Sequence, residues 1–364
     1  MEENKKHFIR PTTNRPPSLV NLTVVALFFG FLAGFIAYIF ARGMLPITEI
    51  DYLNIGNISK NIVIDIEQPL VDKVNQNEDS VAGIYVIKNN ISVIENSLFT
   101  KNDYLGSATI VTSDGWLMTT NQVLNNKNAT VLLGDNYYEI IDFIKDDFTN
   151  LVFIKINAKL YKPINFQITN SIDRGERVIS LIDNPNSIKH SFYTNLISEN
   201  HYVLDKYIST DFIDYYIKLV NIFPENNNLA SPYFSIKGDL LGITYKINKD
   251  YLLIPAEYIQ QSIQHLLNNT ERPKLGLWYL DLENNSGFIK KGNLVYHPTL
   301  KSVKTNSTAH KGGIKYLDQI VAVNNDVITN IKSLTSIIQQ YRIGDVIILK
   351  ISRNGIEQDI EIKL

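Results

Sequence analysis

The run LVNLTVVALFFGFLAGFIAYIFA, Leu19 to Ala41, carries no charged side chain from end to end. As a helix rising about 1.5 Å per residue it reaches roughly 34 Å, enough to cross a hydrocarbon layer about 30 Å thick. A buried soluble helix would rarely be apolar on every face in a chain whose remainder is mixed. A cleaved signal peptide would have a shorter apolar region ending in a small-x-small site, whereas this run continues through Phe35, Ile36, Tyr38, Ile39 and Phe40. An uncleaved transmembrane helix over residues 19–41 is therefore expected. Lys5, Lys6, Arg10 and Arg15 precede it and Arg42 alone closely follows it, so the positive-inside bias places residues 1–18 in the cytoplasm and everything after Arg42 outside.

The remainder of the 364 residues, in a chain 45% hydrophobic and 20% charged, can support about two domains, each with its own core. A formal net charge of −2 and a pI near 6.3 supply no basic field for a nucleic-acid backbone, so no nucleic-acid partner is expected. The chain has no cysteine, which removes thiol catalysis, zinc–thiolate sites and disulfides together. No metal-ligand spacing, phosphate-cradling glycine loop or dinucleotide fingerprint is present, so no cofactor or metal is expected.

Residues 42–75 form a mixed stretch without sustained period and read as a linker. From Val81 to about Val220 the texture changes to short β-rich runs, among them VAGIYVI, GSATIVTS, GWLMTT, ATVLLG and RVISLI. Repeated short strands with turn signals between them indicate a barrel or sandwich. A second β-rich block, YFSIKGDLLGITYKINKDYLLIPAEYI, leads into an amphipathic helix from Glu257 to Leu267, and NNTERPK then ends the helix and forces an extended exit. The last portion, Leu275 to Leu364, mixes strand-like runs with the helical IKSLTSIIQQY and is a small separate α+β module.

Four stretches in order then resemble the HtrA family of trypsin-like serine peptidases. GSATIVTSDGWLMTTNQVL resembles its first-barrel stretch, DDFTNLVFIKI the stretch with the catalytic aspartate, RGERVISLIDNP the opening of its second barrel, and NNNLASPYFSIKGDLLGITY its nucleophile loop and the strands after it. The resemblance implies an N-terminal transmembrane helix, an all-β trypsin-like double β-barrel domain over 76–270, and a C-terminal α+β PDZ-like domain over 271–364. It further implies a bacterial inner-membrane protein, single-pass, with its domains extracytoplasmic or periplasmic.

Carried over residue by residue, the catalytic positions fail. Gln122 stands at the histidine position, Asn150 at the aspartate position and Leu229 at the serine position. A serine hydroxyl is a poor nucleophile until an imidazole takes its proton, and that imidazole needs a carboxylate to fix its tautomer. Glutamine cannot accept and return a proton near neutral pH, and leucine offers no nucleophile. Losing the nucleophile of such a triad alone costs on the order of 10⁶ in rate. Ser231, two residues on, would sit roughly 6–7 Å away in an extended chain, outside the ~3 Å reach that activation requires. No histidine falls between His7 and His190 to act as base. His190 and His201 read as partly exposed loop residues, and Asp103, Asp146, Asp147 and Asp211 as solvated turn residues. The resemblance also puts glycines of the oxyanion loop where Asn227, Ala230 and Ser231 stand, and alanine and serine tolerate a left-handed backbone poorly.

KLGLWYLDL, 274–282, resembles a PDZ carboxylate-binding loop and first peptide-facing strand. On that resemblance Leu275, Gly276 and Leu277 supply the loop, Trp278 and Tyr279 open the strand, and Leu334, Ile337 and Ile338 of SLTSIIQQY face the pocket or the core. AHKGGIKYLDQIVAVNNDVI continues the resemblance, with Leu317 where glycine is usual. The leading expectation is a membrane-anchored, extracytoplasmic pseudoprotease that binds a protein or C-terminal peptide through its PDZ-like domain and its protease-like scaffold. Two alternatives stay open: an active HtrA-type serine endopeptidase in envelope protein quality control, and a structural or regulatory subunit of an active relative. The resemblance suggests a homotrimer or a hetero-assembly with such a relative.

Overall fold

A computed structural model describes residues 18–44, 72, 75–88, 99–158, 162–167, 172–182, 190–220, 229–283, 292–329 and 332–364. Contacts divide the chain into Met1–Ile64 and Asp65–Leu364. The first unit contains helix α1, Leu19–Met44, which runs three residues beyond the apolar stretch. Ser18 caps its start, the hydroxyl accepting from Asn21 N at 3.3 Å and meeting one of the donors a helix start leaves unpaired. Leu19–Phe40 has a mean hydropathy of 2.4 and is long and apolar enough to cross a membrane by length and composition.

In the second unit the first seven strands are β1 Val81–Tyr85, β2 Tyr104–Ile110, β3 Trp116–Thr120, β4 Thr130–Leu133, β5 Asn136–Glu139, β6 Asp142–Asp146 and β7 Leu151–Lys155. They form one antiparallel sheet ordered β5-β4-β1-β2-β3-β7-β6. Its central strands are buried along almost their whole length, β1 at all five positions, which is why their sequences read as near-continuous apolar runs rather than alternating ones. Next come β8 Arg177–Ile182, β9 Ser191–Tyr202, β10 Tyr207–Ser209, β11 Tyr216–Leu219, β12 Pro232–Ser235, β13 Leu240–Ile247 and β14 Asp250–Pro255. All but β10 close into a barrel ordered β11-β14-β13-β12-β8-β9. One apolar cluster joins sheet and barrel, with Leu117, Phe153, Phe234, Ile243 and Tyr258 among its members.

Helix α2, Ala256–Asn268, follows the barrel and buries Tyr258, Ile259 and Ile263 on one face. Pro255 precedes it with an extended backbone, and Asn269 ends it in a left-handed conformation, as expected of a C-terminal stop. The C-terminal sheet contains β15 Trp278–Asp281, β16 Asn293–Val295, β17 Gln319–Val323, β18 Asp326–Val327, β19 Val346–Arg353 and β20 Ile356–Lys363. Asn354 and Gly355, with φ of 54° and 82°, make the two-residue turn between the last two strands that Asn-Gly favours. Short helices α3 Thr308–Lys311 and α4 Leu334–Ile338 complete this part, each capped by a serine hydroxyl. Its separate core gathers Leu275, Leu277, Tyr279, Leu334, Ile337, Ile338 and Ile351. The sheet runs β10-β15-β16-β17-β19-β20, with β18 beside β17. Strand β10, which lies within the stretch read from sequence as protease-like, thus pairs with the C-terminal sheet.

Candidate functional site

Gln122 follows β3 and is exposed, yet both ends of its amide are engaged. Nε2 donates to Lys246 O at 2.6 Å and Oε1 accepts from Lys246 N at 2.9 Å. The side chain therefore pairs with the backbone of β13 as another strand residue would, and ties the first sheet to the barrel. Asn150 takes a left-handed backbone with φ of 61°, which asparagine tolerates better than most residues. Its Oδ1 accepts from Asn121 Nδ2 at 3.0 Å, while Asn121 Oδ1 accepts from the Tyr245 hydroxyl at 3.2 Å. Burial raises the Tyr245 phenol above its ordinary value, only partly countered by Asn121. This chain of amides and a phenol holds no group that exchanges a proton near neutral pH.

Leu229 is half-buried and packs on the main core. Its carbonyl accepts from Ser107 N at 3.0 Å. Gly106 lies between this loop and the turn carrying Gln122: a Cβ there would sit 2.5 Å from a Val123 methyl and 2.9 Å from Leu229 O. The loop before Leu229, with Asn227, lies outside the described residues. Ala230 has φ of 55°, and its N–H donates to Thr244 O at 3.0 Å. Ser231 N donates to Thr244 Oγ1 at 2.8 Å, so these two amides turn to β13 and are not offered to a developing oxyanion. The Ser231 hydroxyl is fully buried and lies 3.5 Å from Ser107 Oγ, which in turn meets the Tyr104 hydroxyl at 2.7 Å. Among the described residues no imidazole is bonded to the Ser107 or Ser231 hydroxyl. His190 faces Glu78, its Nδ1 3.7 Å from the carboxylate.

Four expectations for polar residues change, the first at Asp103, which pairs with Lys88 at 2.8 Å and accepts from the Thr100 N–H and hydroxyl. His201 is in strand β9, stacked on Tyr215 at 4.2 Å, and burial lowers its pKa. Asp146 is no solvated turn residue: Arg272 and the hydroxyls of Ser262 and Thr149 all donate to it, and Arg272 also donates to Gln339 at 2.8 Å. Burial would raise the Asp146 carboxyl, but the Arg272 charge and these donors hold it below the usual range. Asp211 is also engaged, as described next. The apolar periods exposed none of these links, because apart from local partners such as Thr149 the groups that bond Asp146 and Asp211 are distant in sequence.

The residues expected to form a peptide groove lie together. Leu275 and Leu277 are buried in the C-terminal core, Gly276 has φ of 75°, and Trp278 and Tyr279 begin β15. Leu334, Ile337 and Ile338 of α4 are fully buried against the same core, and the Tyr279 hydroxyl meets Thr335 Oγ1 at 3.0 Å. Gly276 N donates to Asp211 Oδ1 at 3.0 Å and Leu277 N to Thr210 Oγ1 at 3.1 Å. Asp214, buried just downstream, accepts from the hydroxyls of Tyr258 and Tyr279, joining α2 to β15.

A family model described as a PDZ domain matches residues 273–364. The chain is 24% identical over 276 residues to a probable periplasmic serine endoprotease DegP-like of Bartonella henselae, covering 71% of this chain and 52% of that protein. It is 25% identical over 264 residues to serine protease Do-like HtrB of Bacillus subtilis, covering 66% of this chain and 57% of that protein. The solved HtrA-type protease AlgW with tripeptide superimposes with a TM-score of 0.57 at 20% identity, over 81% of this chain and 96% of that one. The class is thus a trypsin-like protease fold joined to a PDZ domain. Within it, the chain is similar to the HtrA-type proteases. The chain spans about half the length of the curated relatives it matches.

Proposed function

We propose that this chain is a membrane-anchored, extracytoplasmic pseudoprotease of HtrA type that binds protein or peptide and does not cut it. The observation that carries the reading is the bonding at the three positions aligned with the triad. Gln122 is spent on the Lys246 backbone, Asn150 on Asn121, and the Leu229 side chain offers only apolar surface to the core. The apolar α1 and the flanking charge bias support a single inner-membrane span with the N-terminus cytoplasmic, and the periplasmic relatives agree with that side.

The second reading, an active endopeptidase, draws on the names of the relatives, which are serine endoproteases. Incubating the purified full chain with unfolded casein separates the two. Intact casein after prolonged incubation is expected, and fragments that fail to form with a Ser231→Ala variant would establish the active enzyme instead.

A further inference from the structure

The outer edge of β15 is where a PDZ fold receives a peptide as an added strand. Here that edge is paired with the chain itself: Tyr207 lies opposite Leu280, Ile208 opposite Tyr279 and Ser209 opposite Trp278, antiparallel. The ladder continues past the strand, Thr210 N donating to Leu277 O at 3.0 Å and Leu277 N to Thr210 Oγ1 at 3.1 Å. It ends at the loop, where Gly276 N donates to the carboxylate of Asp211 at 3.0 Å. Direction, register and terminal group match a bound peptide whose carboxylate is taken by loop amides.

The side chains repeat the match. Alternate residues of a strand share a face, and Ile208 and Thr210 are the two buried here, at 7% and 0% exposure. Ile208 belongs to the same core cluster as Leu334 and Ile338 of α4. Tyr207 faces outward, its ring 5.2 Å from His297.

We infer that residues 207–211 are an intramolecular ligand of the PDZ groove, with Asp211 in place of a terminal carboxylate and Thr210 and Ile208 in place of a ligand's last and third-from-last side chains. The external ligand of this site is then a free C-terminus ending in a small β-branched residue with an aliphatic residue two before it, and it binds by displacing 207–211. The second part rests on the proposal that the module captures peptides; the first does not. Because only the fraction with 207–211 released is competent, the unaltered chain binds such a peptide more weakly than its intrinsic affinity.

Two measurements on the full chain in detergent test this. Hydrogen exchange is expected to show 207–211 and 275–280 protected together. Asp211→Ala or Ile208→Asp is expected to release both segments while β19 and β20 stay protected, which also reports that the variant is folded. Fast exchange of 207–211 in the unaltered chain overturns self-occupation, whatever any peptide does. In the second measurement, fluorescein-labelled Lys-Tyr-Ile-Ser-Thr with a free carboxylate is expected to bind the released variants at least ten-fold more tightly than the unaltered chain, and its carboxamide to bind neither. Equal affinity for unaltered and released chains overturns displacement but leaves peptide capture standing. Failure of variants released by exchange to bind at all overturns the ligand assignment and peptide capture with it, and leaves self-occupation supported.

Discussion

At Gln122 two hydrogen bonds to the backbone of Lys246 engage both ends of the side-chain amide. Gln122→Ala removes both from an exposed site, and a loss of about 1 kcal/mol in urea unfolding is expected, since water takes over part of each bond. Leu317 carries a φ of 68° while its side chain is exposed. A left-handed leucine costs roughly 1–2 kcal/mol, part of which glycine gives back through the unfolded state. Leu317→Gly is therefore expected to raise stability by about 0.5–1 kcal/mol, read as a higher urea midpoint. Asp146 and Arg272 are both largely buried, with side chains 14% and 8% exposed. Removing one member of such a pair leaves the other uncompensated, so Asp146→Ala is expected to cost about 3–5 kcal/mol. The folded carboxyl of Asp146 is depressed, so its stabilisation is complete above an unfolded value of about 4 and is lost as pH falls through the folded one. The stability gap between the unaltered chain and Asp146→Asn should accordingly narrow from pH 7 to pH 3.

At the scale of elements, Gly276 fixes how the loop before β15 is built. A Cβ there would lie 2.4 Å from Ser307 Cβ, on a backbone with φ of +75°. Gly276→Ala is expected to displace the loop from Asp211 and to raise exchange in 207–211 and 275–280, and unchanged protection in both would contradict this role. Much of this level was legible in the sequence. The uncharged run foretold α1 and short apolar runs foretold the strands, because composition and period are local. The β10–β15 pairing was not legible, since YIST reads as any edge strand and its partner is some seventy residues on, at Trp278 opposite Ser209. Of the candidate site, the identities at 122, 150 and 229 could be read from alignment by resemblance. What holds Gln122 and Asn150 could not, because Lys246 and Tyr245 enter only when β13 folds against the turn after β3. Asp146 and Asp211 were misread for the same reason: a carboxylate's partner across the fold leaves no periodic trace.

Over the whole molecule, the parts describe an apolar helix, a protease-like scaffold whose Gln122 and Asn150 are bonded internally, and a PDZ domain tied to that scaffold through Asp146–Arg272–Gln339 and Asp214. Those ties link the PDZ domain to α2 and to β6, and among the described residues no imidazole lies beside the buried Ser107 and Ser231 hydroxyls to activate them. The central claim, that the chain binds without cutting, concerns a single covalent event. Intact-mass measurement of the full chain after incubation with a fluorophosphonate probe reads that event without relying on the choice of substrate. The unmodified mass is expected at pH 7 to 8, with or without added C-terminal peptide; one probe adduct located on a serine would contradict it.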